Sequence, residues 1–173
     1  MRAIGASNYS AERLAEALRV SQEHGLPRYQ TLQPFYNLYD RARFEESIES
    51  LCLKEHLGVI TYFSLARGFL SGKYRSESDL SKSQRGGGVK DYLNSRGFRI
   101  LAALDQVAKI RNATQAQVAL AWLMARPSIT APIASATSLE QLQDLIAATQ
   151  LELDEASIEF LNDASDWKKE RAA

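Results

Sequence analysis

The stretch Gly58-Val-Ile-Thr-Tyr-Phe-Ser-Leu-Ala-Arg-Gly-Phe-Leu-Ser-Gly-Lys-Tyr74 decides how the chain is read. It starts as a buried strand, with β-branched Val59 and Ile60 followed by the strand formers Thr61, Tyr62 and Phe63. It then breaks into a loop that carries Ser64, Arg67, Gly68, Ser71, Gly72 and Lys73. Glycines let backbone N–H groups come close to an anion, and the two cations offset its charge. Such a junction suits a phosphate held at the C-terminal end of a strand.

Upstream of this stretch, residues 2–6 read as a short strand and Ser10 as the N-cap of a helix over 11–24, with Leu14 and Leu18 on its apolar face. Gly25 and Pro27 stop that helix. A second strand over 29–33 leads into a loop over 34–41. A helix over about 44–56 then places Phe44, Ile48, Leu51 and Cys52 at helical spacing.

Downstream, a polar segment over about 75–97 contains Gly86-Gly87-Gly88 with Lys82, Arg85, Lys90 and Arg96. A loop this long is usually functional or disordered, and it is expected to be flexible. Helices follow over 98–111 and after the N-cap Thr114, the second one ending at Arg126-Pro127. A fourth strand spans 129–134. Ser138 and Gln141 form a capping box for a helix to about 148, and Asp154 caps a last one. A charged tail covers about 166–173.

Strands that alternate with helices imply parallel pairing through right-handed crossovers. Four βα units make either a small open sheet or half of a (β/α)8 barrel. The first strand begins at residue 2 with no turn before it, which favours the half barrel. The expected fold is α/β, one domain over 1–173: a TIM-barrel half of four parallel βα units plus extra C-terminal helices. Its two open strand edges and apolar inner face are expected to drive association, with a homodimer as the natural outcome.

Composition narrows the function. At 173 residues and 45% apolar content the chain can bury a core. Twenty-one basic residues balance 21 acidic ones, which gives no field for nucleic acid or a membrane surface. Cys52 is the only cysteine, so no intramolecular disulfide forms and a reducing, cytoplasmic setting is expected. No run approaches a membrane span and no signal-peptide core is found. No metal-ligand spacing is present. His24 and His56 fall in last helical turns, where a cation suits the dipole, and make poor catalytic candidates.

Four places could bind a ligand. Ser7-Asn8 is either an ordinary turn or an amide-and-hydroxyl pair, and Gln33 is either a solvated strand end or a second amide contact. Tyr62 is either a core aromatic or a stacking surface. The segment 133–142 leads into a capped helix N-terminus, itself a ready phosphate site.

Four runs resemble aldo-keto reductases. Tyr62-Phe-Ser-Leu-Ala-Arg-Gly-Phe-Leu-Ser-Gly-Lys-Tyr74 is similar to that family's seventh-strand loop, and Arg2-Ala-Ile-Gly-Ala-Ser-Asn-Tyr9 to its fifth strand. Gln33-Pro-Phe-Tyr-Asn-Leu-Tyr-Asp-Arg41 resembles the sixth-strand segment, and Ile133-Ala-Ser-Ala-Thr-Ser-Leu-Glu-Gln-Leu142 the eighth-strand phosphate loop. The likeness runs from residue 2 to about 165. It implies that Ser7, Asn8 and Gln33 hold a nicotinamide carboxamide and that Tyr62 stacks on the ring. It implies further that Leu65, Arg67, Gly68 and Lys73 wrap the pyrophosphate, and that Ser135, Thr137 and Gln141 contact the cofactor. The segment 75–97 would fold over it.

The resemblance implies NADP(H), and a small aldehyde or ketone as hydride acceptor. Two positions depart from the pattern. Ser64 stands where the family more often has Pro, and Thr137 where many members carry an Arg that grips the 2′-phosphate, so NAD(H) stays open. The family's proton-donating Tyr, with its Lys, Asp and His, lies on the first half of the barrel. No residue here matches that tetrad, and no catalytic residue is nominated. The chain alone is expected not to reduce carbonyls. A nucleotide-binding or assembly module, as in aldo-keto-reductase-like channel β-subunits, and a truncated product without activity of its own are the alternatives.

Overall fold

Period-2 alternation sorts the strand residues into two faces. In the computed structural model, which describes residues 1–82 and 86–171, the strands are β1 (Ile4–Ser7), β2 (Tyr29–Gln33), β3 (Gly58–Thr61) and β4 (Ala131–Pro132). They form one parallel sheet in the order β1-β2-β3-β4. Ala6 pairs with Leu32 and Leu32 with Val59, and these three, with Thr61, are buried beneath the helices. Gly5, Ser7, Thr31, Gln33, Ile60 and Ala131 alternate with them and are half-buried or exposed. The sheet is therefore covered on one face. This is an α/β fold of four parallel strands with helices, consistent with the expected half of a TIM barrel.

The open face departs from expectation. It is a mixture of small, polar and apolar side chains rather than an apolar one, because Gly5, Ser7, Thr31, Gln33 and Gly58 all fall on it.

Helix α1 (Ala11–Glu23) starts where Ser10 accepts the Arg13 N–H at 3.3 Å. The helix expected over 44–56 opens as a π turn (Phe44–Ile48) and continues as α2 (Glu49–Lys54). The wide turn buries Glu45 among Tyr36, Arg41 and Trp167, which donate to it at 2.7, 2.8 and 3.4 Å. Arg126 and Ser128 bond Glu49 at 2.9 and 2.7 Å, tying the chain that follows β2 to the C-terminal half. Burial alone would raise the Glu45 pKa. The Arg41 and Tyr36 hydrogen bonds and the Arg41 and Arg126 charges outweigh it and hold the carboxyl below its ordinary value.

Helix α3 (Ser95–Arg111) begins three residues before its expected start, with Asn94 accepting the Gly97 N–H at 2.9 Å. Gly97 looks like a breaker in the sequence, but it is there because a Cβ would sit 1.9 Å from the Tyr92 carbonyl. Helix α4 (Gln115–Met124) carries a complete capping box of Thr114 and Gln117. Helices α5 (Leu139–Ala148), α6 (Glu155–Ala164) and α7 (Lys168–Arg171) complete the chain. The core gathers Ile100, Leu101 and Leu104 of α3 and Trp122 of α4, all fully buried, each contributing about 1.5–3 kcal/mol or more. Trp122 Nε1 donates to Asn162 Oδ1 at 2.9 Å, which satisfies its one polar atom.

Several boundaries differ from expectation, each for a local reason. Strand β3 stops at Thr61 because Phe63 turns left-handed at φ 53°, leaving Tyr62 as a single bridge to Phe35. Strand β4 is two residues rather than six, since Pro132 has no N–H to donate. The ladder survives on either side, through Thr130 N–H to Val59 O and Ile133 N–H to Thr61 O, both 2.8 Å. The segment expected as a loop over 75–97 contains two 3-10 pieces, Glu77–Lys82 and Gly86–Tyr92, and the start of α3. Ser83 and Arg85, counted in that loop, lie outside the described residues, as do the last two residues of the tail. The charged tail includes a buried Trp167. Among the described residues, no helix is long and apolar enough to cross a membrane.

Candidate functional site

After β3 the backbone takes a conformation that ordinary residues avoid. Phe63, Ala66 and Arg67 have φ of 53°, 48° and 59°, and Gly68 and Gly72 follow at 94° and 78°. Each non-glycine residue held so costs about 1–3 kcal/mol and persists only where its surroundings leave no alternative. Here they do not: Ala66, Phe69, Leu70 and Tyr74 are all fully buried beneath the turn. Asn37 props it from below, donating to the Phe63 carbonyl at 3.0 Å and to Asp40 at 2.9 Å. The outcome is an anchored ledge that presents Leu65, Arg67, Gly68, Ser71 and Lys73. The Arg67 guanidinium lies 4.6 Å over the Phe63 ring, and the Lys73 ammonium 5.0 Å over that of Tyr74.

Facing the ledge is the path from β4 into α5. Ser138 caps α5 by accepting the Gln141 N–H at 3.3 Å. The reciprocal half of the expected capping box is absent. Gln141 Oε1 reaches one residue further back instead and accepts the Thr137 N–H at 2.8 Å and its hydroxyl at 3.1 Å. One turn along, Asp144 accepts from Thr114 Oγ1 at 3.0 Å and from Gln117 Nε2 at 2.6 Å. The α4 capping box therefore also orients the Asp144 carboxylate.

Between ledge and α5 lie two adjoining cavities. The one of about 650 Å³ is lined by Tyr62, Phe63, Leu65 and Arg67 on one side, with Ile133 and Ser135 opposite. The other, of about 530 Å³, is lined by Gly68 and Lys73 facing Thr137, Gln141 and Asp144. Leu65, Arg67 and Ser135 belong to both and form the waist of a two-lobed groove. Gly88 closes over the first lobe, so tightly packed that a Cβ there would stand 2.9 Å from Arg67 Nη1. Part of the polar segment after residue 75 thus borders the groove.

Eight expected site residues meet in this groove: Tyr62, Leu65, Arg67, Gly68, Lys73, Ser135, Thr137 and Gln141. Ser7, Asn8 and Gln33 do not line it. They sit beside its first lobe at the C-terminal ends of β1 and β2, where Ser7 Oγ donates to the Gln33 carbonyl at 3.0 Å. Tyr62 links the two groups, donating its hydroxyl to Asn8 Oδ1 at 2.7 Å while its ring stacks on Phe35. Asn8 is left-handed at φ 59°, a conformation that Asn tolerates better than most residues.

Sequence reasoning missed Gly88 and Asp144. Gly88 lies in the Gly86-Gly87-Gly88 run of the segment expected to fold over the cofactor, but its contact with Arg67 is long-range and singles it out only in the fold. Asp144 was readable in principle, because three residues after Gln141 put it on the same face of α5.

The titratable groups behind the ledge are structural. Burial pushes the Asp40 carboxyl above its ordinary value, against the pull of donors Asn37 and Tyr92 and the charges of Arg96 and Arg67. Burial likewise raises the Tyr92 hydroxyl, and it lifts the Cys52 thiol to about 11, which keeps it unreactive. Among the described residues no cluster of His, Cys, Asp and Glu could hold a metal ion. The groove thus offers aromatics in one lobe, the Arg67 cation at the waist, and in the other lobe the Lys73 cation and Gly68 backbone facing hydroxyl, amide and carboxylate groups. That order suits an elongated anionic ligand with an aromatic head.

The model of the aldo/keto reductase family matches residues 1–166. An uncharacterized oxidoreductase of Bacillus subtilis is 30% identical over 161 residues, covering 92% of this chain and 48% of that protein. An aldo-keto reductase of Fusarium vanettenii is 28% identical over 165 residues, covering 94% of this chain and 44% of the relative. L-glyceraldehyde 3-phosphate reductase of Escherichia coli is 28% identical over 151 residues, covering 84% and 43%. The chain spans about half the length of the curated relatives it matches.

Proposed function

The chain belongs to the aldo/keto reductase family, and from that premise we propose that it is the nicotinamide-cofactor half of a carbonyl-reducing oxidoreductase. One observation carries the reading. Residues picked from four separate runs of sequence converge on a single groove and its rim, in the order that the parts of a dinucleotide require. Tyr62 takes the nicotinamide ring on the face away from Phe35. Asn8 and Gln33 supply a carboxamide with the donor and acceptor it needs, and Ser7 braces the Gln33 backbone. Leu65, Arg67, Gly68 and Lys73 hold the pyrophosphate, with cations offsetting its charge and the strained backbone prepaying its own ordering. Ser135, Thr137 and Gln141 take the far end at the N-terminus of α5, where free N–H groups favour an anion.

The cofactor is NADP(H) or NAD(H), and when bound it supplies the hydride for a small aldehyde or ketone. Proton donation to the carbonyl oxygen requires a tuned acid in place. No residue of this chain matches the family's Tyr, Lys, Asp and His, so this chain alone binds cofactor without reducing carbonyls. Residues 1–173 act as one domain, in a reducing compartment such as the cytoplasm, where the buried Cys52 thiol stays free.

A homodimer is part of the proposal. Leu139, Leu142 and Ile146 form an exposed stripe on α5, beside the free edge of β4. An unpaired parallel edge next to an apolar helix face is what a further strand would cover.

The test is to titrate the purified chain with NADPH and NADH by fluorescence, then add an aldehyde and follow the nicotinamide absorbance. Saturable binding without turnover is expected. Turnover would reveal a proton donor in this chain, and failure of a folded chain to bind either dinucleotide would sink the reading.

A further inference from the structure

We infer that Asp40 is a positioning residue for the groove: its carboxylate ties the ledge to the Gly86–Tyr92 piece and so sets how Arg67 meets Gly88 at the first lobe. The inference rests on the cofactor reading above and adds the residue that keeps two borders of the site in register.

Two donors meet on one oxygen. Asp40 Oδ2 accepts from Asn37 Nδ2 and from the Tyr92 hydroxyl, both at 2.9 Å. Asn37 is fully buried and directs its other amide hydrogen to the Phe63 carbonyl at 3.0 Å, where the backbone turns left-handed. Its Oδ1 accepts the Tyr39 and Asp40 N–H groups at 2.8 and 2.9 Å. All four hydrogen-bonding positions of the amide are therefore filled, and only one orientation of it satisfies them. Arg96 clamps the same turn from behind, donating to the Tyr39 carbonyl at 2.6 Å with its guanidinium 4.4 Å over the Tyr39 ring.

Each donor leads to a different border of the groove. Through Asn37 the carboxylate reaches Phe63, whose ring carries the Arg67 guanidinium at 4.6 Å. Through Tyr92 it reaches the end of the piece that brings Gly88 against Arg67. The Tyr92 ring also stacks on Phe69 of the ledge at 5.3 Å, so packing holds the two parts together and the shared oxygen sets their register. Without that oxygen, Asn37 loses the partner that aims its amide and the buried Tyr92 hydroxyl loses its acceptor. A buried donor left so is costly, and either group relieves the cost by moving. A ledge free to move must then be ordered by the ligand, which lowers affinity.

The experiment compares the full native chain with Asp40→Leu, Asp40→Asn and Tyr92→Phe, with circular dichroism confirming the fold of each. Amide hydrogen exchange of the free proteins is read at 63–68 and 88–92, and NADH and NADPH are titrated by fluorescence. Asp40→Leu should speed exchange in both segments and weaken both cofactors about tenfold. Asp40→Asn keeps an oxygen that accepts from both donors, so exchange and affinity should stay near native. Tyr92→Phe keeps the ring stack and should speed exchange at 88–92 alone, with a smaller loss of affinity; it carries the test if Asp40→Leu does not fold. Asn as damaging as Leu at position 40, exchange unchanged in either segment of a folded Asp40→Leu, or native affinity in a loosened variant would overturn the inference. If the folded native chain binds neither dinucleotide, the cofactor reading falls, and exchange in the free chain still decides whether Asp40 holds the two segments in register.

Discussion

The two walls of the groove are made in opposite ways. The ledge after β3 is strained in its backbone and anchored by side chains with no solvent exposure, Ala66, Phe69, Leu70 and Tyr74. The α5 wall has ordinary backbone and sits largely in solvent, with Leu139 75% exposed and Ile146 58%. Rigidity and positive charge are thus on one side, openness and negative charge on the other. Under the proposed reading the anchored ledge gives a pyrophosphate fixed donors. The α5 wall turns Thr137, Gln141 and Asp144 toward the groove and leaves Leu139 and Ile146 exposed.

The largest expected contrast is in stability. Phe69→Ala on the ledge should cost about 3–5 kcal/mol, because it empties a fully buried site. Leu142→Ala on α5 should stay within about 0.5 kcal/mol, as exposed positions do. Urea unfolding of both proteins checks this, and equal losses would erase the distinction between the walls.

Next comes affinity. Removing a charged hydrogen-bond donor costs about 1.5–3 kcal/mol, so Arg67→Ala or Lys73→Ala should weaken dinucleotide binding roughly 10- to 100-fold. Gln141→Ala, which removes an uncharged group on the α5 wall, should lose about tenfold or less. Fluorescence titrations would show whether the ledge dominates.

Smaller effects should appear with pH, in the layer that supports the ledge. Glu45 has a depressed pKa, so the stability it contributes is present above its ordinary value of 4.5 and is lost as pH falls through its folded value. Asp40 has the opposite sign: its raised pKa gives stability that is full below 3.8 and lost as pH rises through the folded value. Melting temperatures across the acid range should therefore fall less steeply toward low pH in Glu45→Gln than in the native chain. Asp40→Asn should instead remove a loss on the rising side. The smallest effect on folding, and a clear one on assembly, is expected of Leu142→Lys, which should leave the melting temperature nearly unchanged while shifting sedimentation from dimer to monomer. A native chain that sediments as a monodisperse monomer would rule out the dimer.

The alternation of strands and helices was legible because burial on one face leaves a period in the sequence. Val59, Leu32 and Ala6 are apolar because they meet the helices. Most of the groove was legible for a different reason: its residues lie within a few positions of strand ends, so motif and location coincide. What escaped depended on distant partners. The start of α3 at Ser95 was hidden behind Gly97, whose smallness answers to the Tyr92 carbonyl. The early end of β3 follows from φ 53° at Phe63, a conformation its side chain does not advertise. Gln141 was expected to cap Ser138, yet it bonds Thr137, a one-residue difference that no spacing rule separates. Trp167 reads as part of a charged tail, and its burial depends on Glu45, far away in sequence, which accepts from its indole N–H.

Amide hydrogen exchange of the full chain, with and without saturating NADH, tests the central claim most directly. If the groove holds the dinucleotide, protection will rise together in two separate segments, 65–73 and 135–141, and little elsewhere on the helix-covered side. Protection confined to other regions, or none in a chain shown to be folded, would contradict it.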